Sequence, residues 1–318
     1  MSEKLDLKSC CEILKKMEDI LILSHKSPDG DTIGSAFALG EILKLMGKRA
    51  RIECSDEIPQ KYSYFTDELA YESFPPKSIV SVDIADISLF GEKLNQYSQN
   101  VDLAIDHHIS HRDFAKNTYL NAESAANTEN IFEIAQMLDI KINKNIANAL
   151  FTGLTTDTGG FKYPNTTPKT HIIAAELMKL GAESAMINKL MFDTKTKAKL
   201  SLERQVLDNL EYYFDNKCAL TVVSKAVMDS SGATSEDFDG ISALPRLIEG
   251  VEVGITIREK DDGYKLSLRS NDYVDVAKLC GKLGGGGHTR AAGCFIKEDL
   301  SKTRDIILKL VEQDLINN

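Results

Sequence analysis

Three short, largely apolar runs in the N-terminal third end the same way, and no other feature limits the possible folds so much. ILIL at 20–23 leads into Ser24 and His25, with Asp29 and Asp31 close behind. SIVSV at 78–82 stops at Asp83, and VDLAI at 101–105 stops at Asp106, His107 and His108. Runs this short, rich in β-branched residues and bounded by polar turns, read as strands. They show no strict polar alternation, so both faces must be covered, as in a parallel sheet flanked by helices. Stretches of helical spacing at 4–18, 34–46, 128–138, 143–152 and 171–180 supply the cover, and RIEC at 51–54 adds a strand. The expected fold is α/β, with an N-terminal doubly wound, mostly parallel sheet. Strand ends in such a sheet share one edge, and ligands bind there.

Residues 183–211 contain no Gly or Pro and read as a helical bridge. Beyond them the texture changes to strands at 219–225, 251–259 and 264–270, a short helix at 241–249, a helical turn at 274–279, a glycine-rich stretch at 281–294 and a last helix at 301–315. This predicts a catalytic domain over 1–185, a helical linker over 186–215 and a smaller mixed α/β domain over 216–318.

Composition excludes several classes. A net charge of −10 does not suit a long duplex footprint, which needs a basic face, but leaves room for an anionic small molecule or a short oligonucleotide. The six cysteines are scattered without CxxC spacing and read as reduced thiols. No signal peptide and no apolar run near the roughly 20 residues of a membrane span is evident, so a cytoplasmic protein without membrane contact is expected. The G-x-G-x-x-G, GxxxxGK[ST] and G-x-S-x-G patterns are absent, against a nicotinamide enzyme, a P-loop hydrolase and a serine hydrolase.

His25, Asp29, Asp31, Asp83, Asp106, His107, His108 and Asp157 all fall at predicted strand or helix ends. A lone Asp there commonly caps a helix or forms a turn, the reading for Asp86 and Asp102 and one left open for Asp106. The set as a whole is different, because so much like charge in one cleft demands a cation. Carboxylates mixed with imidazoles suit Mn²⁺, Mg²⁺ or Fe²⁺ better than structural zinc. The ligand count suits two ions about 3.5–4 Å apart, which activate water and neutralise charge on a phosphoryl group. His111 and His171 lie in polar surroundings and read as surface residues. A second constellation joins Gly284–Gly287, His288, Arg290 and the strand residue Arg269. It reads either as a tight strand-to-helix turn or as an anion nest whose arginines grip phosphate. Tyr62, Tyr64, Phe65 and Phe161 either stack on a base or pin loops to the core.

SHKSPDGDTIGS at 24–35, VDIAD at 82–86, DHH at 106–108 and TDTGGF at 156–161 resemble the four signatures of the DHH phosphoesterase superfamily. GGGGHTRAAG at 284–293 resembles the glycine-rich signature of its companion DHHA1 domain. The chain looks most like the NrnA-type branch, described as oligoribonucleases (nanoRNases) that also dephosphorylate 3′-phosphoadenosine 5′-phosphate, pAp. The resemblance implies one metal ion on His25, Asp29 and Asp83 and another on Asp31, Asp83, His107 and Asp157, Mn²⁺ ahead of Mg²⁺. It implies that Asp106 orients the neighbouring imidazoles and that His108 contacts the scissile phosphate. Arg269, His288 and the backbone of Gly285, Gly286 and Gly287 are implied to hold the terminal phosphate or a neighbouring nucleotide. Arg290 occupies a variable position of that motif, and Ser27 replaces an Asn or His common in relatives. Short RNA and pAp are the implied substrates, with a homodimer as the family's habit. Phosphodiesterase action on cyclic or linear dinucleotides, polyphosphate or pyrophosphate hydrolysis, and a catalytically silent nucleotide-binding regulator are the alternatives.

Overall fold

A computed structural model describes residues 2–66, 73–234, 237–238 and 240–316, with the side chain of His288 outside the described set. The chain forms two compact units, residues 1–194 and 195–318.

The first unit runs β1 (Glu3–Lys4), α1 (Leu7–Lys16), β2 (Ile20–Leu23), α2 (Gly30–Leu45), β3 (Ala50–Glu53), a short α3 (Ser63–Thr66), β4 (Ser78–Val82), a short α4 (Gly91–Leu94), β5 (Leu103–Asp106) and β6 (Asn117–Leu120). Helices α5 (Asn127–Met137), α6 (Lys144–Asp157), α7 (Pro168–Lys179) and α8 (Ser184–Asn188) follow. The sheet has the order β1-β6-β5-β4-β2-β3, and every pairing is parallel. Both faces are covered: Ile20, Ile22, Val80, Val82, Leu103 and Ile105 pack toward the long helices, while Leu21, Leu23, Ile79 and Ala104 pack under Phe90 and Leu94. This is why the strands are apolar without alternation. Strand order reverses at β2, whose neighbours are β3 and β4, so the ends of β2, β4 and β5 meet where an open sheet leaves a crevice.

Two features differ from the sequence reading. Helix α2 starts at Gly30 rather than Gly34, because the Asp29 side chain caps it by accepting the Asp31 and Thr32 amides. It is also buried almost all round rather than amphipathic, lying between α5 and α6. Gly34 makes this possible, since a β-carbon there would stand 2.4 Å from the Ala149 carbonyl oxygen. The apolar positions of 128–154 fill the unit's own core, among them Ile131, Ile134, Leu150 and Leu154. Tyr62 and Phe65 do the same and are loop pins.

The second unit runs α9 (Lys197–Asp208), β7 (Glu211–Tyr213), β8 (Cys218–Val223), α10 (Lys225–Ser231), β9 (Val253–Lys260), β10 (Gly263–Ser270), α11 (Val276–Gly281), β11 (Gly286–His288), β12 (Ala291–Ile296) and α12 (Leu300–Ile316). Its sheet has the order β11-β12-β10-β9-β8-β7 and is mixed, with β8 and β9 parallel. The stretch 186–215, expected as a linker, divides at Thr194, and Leu202 and Val206 of α9 pack with Val223 and Ile241 of the second unit. The glycine run forms a β-hairpin, β11–β12, and not a strand-to-helix turn. The six cysteines are free thiols. No helix among the described residues is long and apolar enough to cross a membrane.

Candidate metal centre

The ends of β2, β4 and β5 and the last turn of α6 place their polar residues together. Thr32, in the first turn of α2, ties two of these ends. Its hydroxyl accepts the His25 amide at 3.3 Å and donates to the Val82 carbonyl at 3.3 Å. Asp83 then turns off β4 with φ 59°, a left-handed conformation that Asp tolerates better than most residues. Its amide still bonds the Ile105 carbonyl at 3.0 Å, so the turn is held while the carboxylate swings into the crevice.

Asp83 is 2 % exposed and stands at the centre. His25 Nε2 lies 3.7 Å from its Oδ2 and 3.6 Å from Asp29 Oδ1. His107 Nε2 lies 3.5 Å from Asp83 Oδ1, 3.7 Å from Asp31 Oδ2 and 3.5 Å from Asp157 Oδ2. His108 Nδ1 is 3.5 Å from Asp83 Oδ1. Three groups of ligand atoms result, each within 4.8 Å: His25, Asp29 and Asp83; Asp31, His107 and Asp157; and Asp83, His107 and His108. The separations are too long for hydrogen bonds. Asp83 Oδ1 is buried with no hydrogen-bond partner at all, the kind of orphan that a cation satisfies.

The imidazoles are set for ligation. His25 Nδ1 is 2.8 Å from the Lys26 carbonyl and His107 Nδ1 is 3.1 Å from the Ser124 carbonyl. A carbonyl only accepts, so each Nδ1 carries the proton and each Nε2 is the free atom facing the carboxylates. Asp31 is fixed from the far side, its oxygens accepting the Asn127 amide at 2.6 Å and the Thr128 amide at 2.9 Å at the N-terminus of α5.

Protonation preferences give the same reading. Burial and the nearby Asp83 push the Asp31 carboxyl up to about 7. Burial, with Asp31 beside it, drives Asp157 well above the carboxylate range, and burial also raises Asp83. Burial disfavours the charged imidazoles, yet Asp29 and Asp83 hold His25 up to about 10, and Asp83, Asp31 and Asp157 hold His107 up to about 11. The cluster gathers protons because it has an excess of negative charge to neutralise. The donor set therefore fits divalent cations, as mixed carboxylate and imidazole sites do.

Asp106, fully buried, is not one of these ligands. Its Oδ1 accepts the His107 amide at 2.7 Å and His108 Nδ1 at 2.8 Å, and its Oδ2 accepts His111 Nδ1 at 2.6 Å. These donors prevail over burial and hold its carboxyl well below the usual range. His111, read from sequence as a surface residue, is thus a correction: its side chain is 0 % exposed, tilted against Phe114 with ring centroids 5.2 Å apart, and its Nε2 is unpartnered. A lone His among polar neighbours gave no hint of this, and only its spacing from the DHH triplet could have. Ser124, Asn127 and Thr128 were also missed, because they act through backbone groups. His171 is exposed as expected and stacks on Phe161.

In the second unit, Arg269 lies on β10 opposite Ala291 of β12 and donates to the Leu268 carbonyl at 2.9 Å. Arg290 is spent on structure, donating from Nη1 to the Val274 carbonyl at 2.9 Å and from Nη2 to the Asp272 carbonyl. Gly285 and Gly287 are required by packing, because a β-carbon would meet the Gly293 carbonyl oxygen at 2.2 Å and the Ala291 carbonyl oxygen at 2.5 Å. At Gly286 a β-carbon would meet nothing within 4 Å. The backbone of His288 pairs with Ala291, and its side chain lies outside the described residues.

Comparison with known proteins agrees with this architecture. The DHH family N-terminal domain matches residues 19–154 and the DHHA1 domain matches residues 216–317. The bifunctional oligoribonuclease and PAP phosphatase NrnA of Thermus thermophilus is 32% identical over 313 residues, 96% of this chain and 93% of that one. The protein of the same description from Bacillus subtilis is 25% identical over 285 residues, 88% of this chain and 90% of its own. Among solved structures, an exopolyphosphatase-related protein from Bacteroides fragilis superposes with a TM-score of 0.88 at 24% identity, covering 96% of this chain and 95% of that one, a likeness of fold. Two domain matches in order, and identity sustained over almost the whole of both chains, make this protein a member of the DHH family with a DHHA1 domain.

Proposed function

We propose that this protein is a metal-dependent phosphoesterase that releases mononucleotides from short oligoribonucleotides and also converts pAp to AMP and phosphate. The observation that carries the reading is the set of three ligand groups at one sheet edge, two of which contain Asp83 and two of which contain His107. The names of the relatives point to the substrates. His25, Asp29 and Asp83 would hold one divalent ion and Asp31, Asp83, His107 and Asp157 another, manganese ahead of magnesium. When bound, such ions acidify water and neutralise charge developing on phosphorus.

The chain's own groups do the rest. Asp106 fixes one proton of His108 on Nδ1 and favours the charged ring, so that Nε2 donates to a phosphoryl oxygen when the imidazole is doubly protonated and accepts a proton when it is neutral. Asp83, turned by its left-handed backbone, faces His25 through Oδ2 and His107 through Oδ1. Arg269 and the hairpin backbone at Gly285–Gly287 hold a phosphate that is not cleaved: that of the neighbouring nucleotide in RNA, or the other phosphate of pAp. Homodimerisation is a separate part of the reading, checked by light scattering.

The test is a hydrolysis time course with Mn²⁺ on a 5′-phosphorylated RNA dinucleotide, a five-mer, a twenty-mer, pAp, a cyclic dinucleotide and polyphosphate. Mononucleotides released quickly from the dinucleotide and five-mer, phosphate from pAp, and a spared twenty-mer are expected. Preference for the cyclic dinucleotide or polyphosphate would overturn the substrate assignment, and full turnover by Asp83→Asn would overturn the metal centre.

A further inference from the structure

Just past the end of α6 the chain passes through three left-handed residues in succession, Gly159 at φ 57°, Gly160 at 70° and Phe161 at 64°. Glycine takes that conformation freely, but a bulky aromatic residue does not, and backbone strain of this kind collects at functional sites. The turn is held from several sides. Buried Thr158 gathers it, its hydroxyl accepting the Phe161 amide at 3.1 Å and its carbonyl accepting the Lys162 and Tyr163 amides at 2.9 and 3.0 Å. Asn165 then ties it to the backbone of a candidate ligand, donating to the Asp157 carbonyl at 3.1 Å and to the Ala125 carbonyl at 2.9 Å.

The strain sends two rings opposite ways. Phe161 turns inward, 6.1 Å from Phe151 and with His171 stacked on it at 5.3 Å. Tyr163 turns outward and is 48 % exposed, yet it does not hang free. A β-carbon on Gly159 would stand 2.4 Å from its Cζ and 2.6 Å from both Cε atoms. Distances so nearly equal place Gly159 over one face of the ring and not at its edge. The ring therefore lies on the main chain two residues past Asp157, and its exposed surface is left to the other face and the rim. Asp157 is also the most open ligand of its group, with 31 % of its side chain exposed against 1 % for Asp31 and 11 % for His107. The ring thus adjoins the side from which solvent reaches the cluster. Pinning the loop to the core is the part Phe161 already plays, so it gives no reason for a second ring laid outward. A fixed ring with one face on backbone and the other open is a platform for stacking, and bases unstacked from a strand settle on such rings.

We propose that Tyr163 is the base platform of the metal centre, and that the base of the nucleoside whose phosphate faces Asp83 and Asp157 stacks on its open face. The proposal rests on the phosphoesterase reading above and adds to it what separates a nucleotide from any other phosphate ester. Metal-ligand groups address only phosphoryl oxygens, which every such ester carries. The ring selects for a flat heterocycle beside the phosphorus, and it asks for no particular base, because every base has a π-face.

The experiment uses the full chain, which contains no tryptophan. Y163W puts a single indole at the platform, and Y212W, at a tyrosine that is 47 % exposed in the second unit, is the control. The fluorescence of each is titrated with AMP and with ribose 5-phosphate, which lacks the base, in Mg²⁺. In parallel, kcat and KM of wild type, Y163F and Y163A are measured with Mn²⁺ on pAp, on an RNA dinucleotide and on a dinucleotide whose residues are both abasic. AMP should quench Y163W, ribose 5-phosphate should not, and Y212W should respond to neither. Y163A should lose about 10-fold in kcat/KM on pAp and the RNA dinucleotide, while Y163F, which keeps the ring, stays within about 2-fold of wild type. The loss should lie in KM, as it does when binding shared by ground and transition states is removed. On the abasic dinucleotide Y163A and wild type should be equal, a distinction that a merely structural ring would not make. Y163W unquenched by AMP, equal quenching by ribose 5-phosphate, wild-type kinetics in Y163A, or a Y163A loss as large on the abasic dinucleotide would overturn the proposal. Turnover of RNA and pAp alongside any of these results would leave the phosphoesterase reading intact. Quenching of Y163W by AMP in a protein that cleaves none of the substrates would sink the catalytic reading and leave the platform standing.

Discussion

His111→Phe isolates the orienting role of one buried hydrogen bond. The ring is enclosed beside Phe114, itself edge-on to Phe90, so phenylalanine keeps the packing. What disappears is the 2.6 Å donation from Nδ1 to Asp106 Oδ2. A hydrogen bond to a buried charged group contributes about 1.5–3 kcal/mol, and the oxygen left behind is unsatisfied. Against this, the substitution removes the unpartnered Nε2. The net expectation is a loss of about 1–3 kcal/mol in stability. The kinetic effect is separable. Asp106 freed on one side no longer fixes His108, and loss of such a supporting partner typically costs 10–100-fold in activity. The fall should appear in kcat on pAp, with KM little changed and Mn²⁺ affinity, read by calorimetry, largely retained. His111→Asn, which keeps an N–H donor, should recover part of the rate. Wild-type kcat in His111→Phe, or an equal loss in both variants explained wholly by unfolding, would refute the reasoning.

Other expectations follow from the same geometry. Gly153→Ala places a methyl 2.4 Å from Thr128 Cγ2 and 2.6 Å from Asp31 Oδ1, so it should cost about 1–3 kcal/mol and weaken metal binding, seen in thermal melts and Mn²⁺ titrations. Because His25 and His107 are held up to about 10 and 11, they carry protons at neutral pH without metal. Ion binding should then release protons, and affinity should rise with pH between 6 and 9, checked by calorimetry in buffers of different ionisation enthalpy. Mn²⁺ at 100 times its Kd should stabilise the fold by about 2.7 kcal/mol, and the gain should vanish in EDTA.

How legible the molecule was from its sequence depended on how local the cause was. Ile20–Leu23 and Ser78–Val82 were readable because burial on both faces writes itself as an unbroken apolar run. Strand β6, Asn117–Leu120, carries no such run and was missed, since half of it faces partial solvent. The start of α2 was misplaced because Asp29-Gly30-Asp31 looks like a turn, whereas the cap that makes it a helix is a side-chain bond. Asp31 was recognised as a candidate ligand, yet its amide donors sit near residue 127, a distance no local pattern spans. The glycine run announced a tight feature, but whether it closes a hairpin or enters a helix is decided by pairing with β12.

The two main ligand groups draw on different lengths of chain. The group of His25, Asp29 and Asp83 is drawn from the chain up to the end of β4, with the Asp83 turn held by Ile105 of β5, whereas the group of Asp31, His107 and Asp157 requires everything up to the last turn of α6. An ion held at the first position would therefore report on the strands through β5, and one held at the second on the unit through the end of α6. Fraying of α6 from its C-terminal end would strip a ligand from the second group while leaving the first whole. Partial occupancy would then record local unfolding and not weak chemistry.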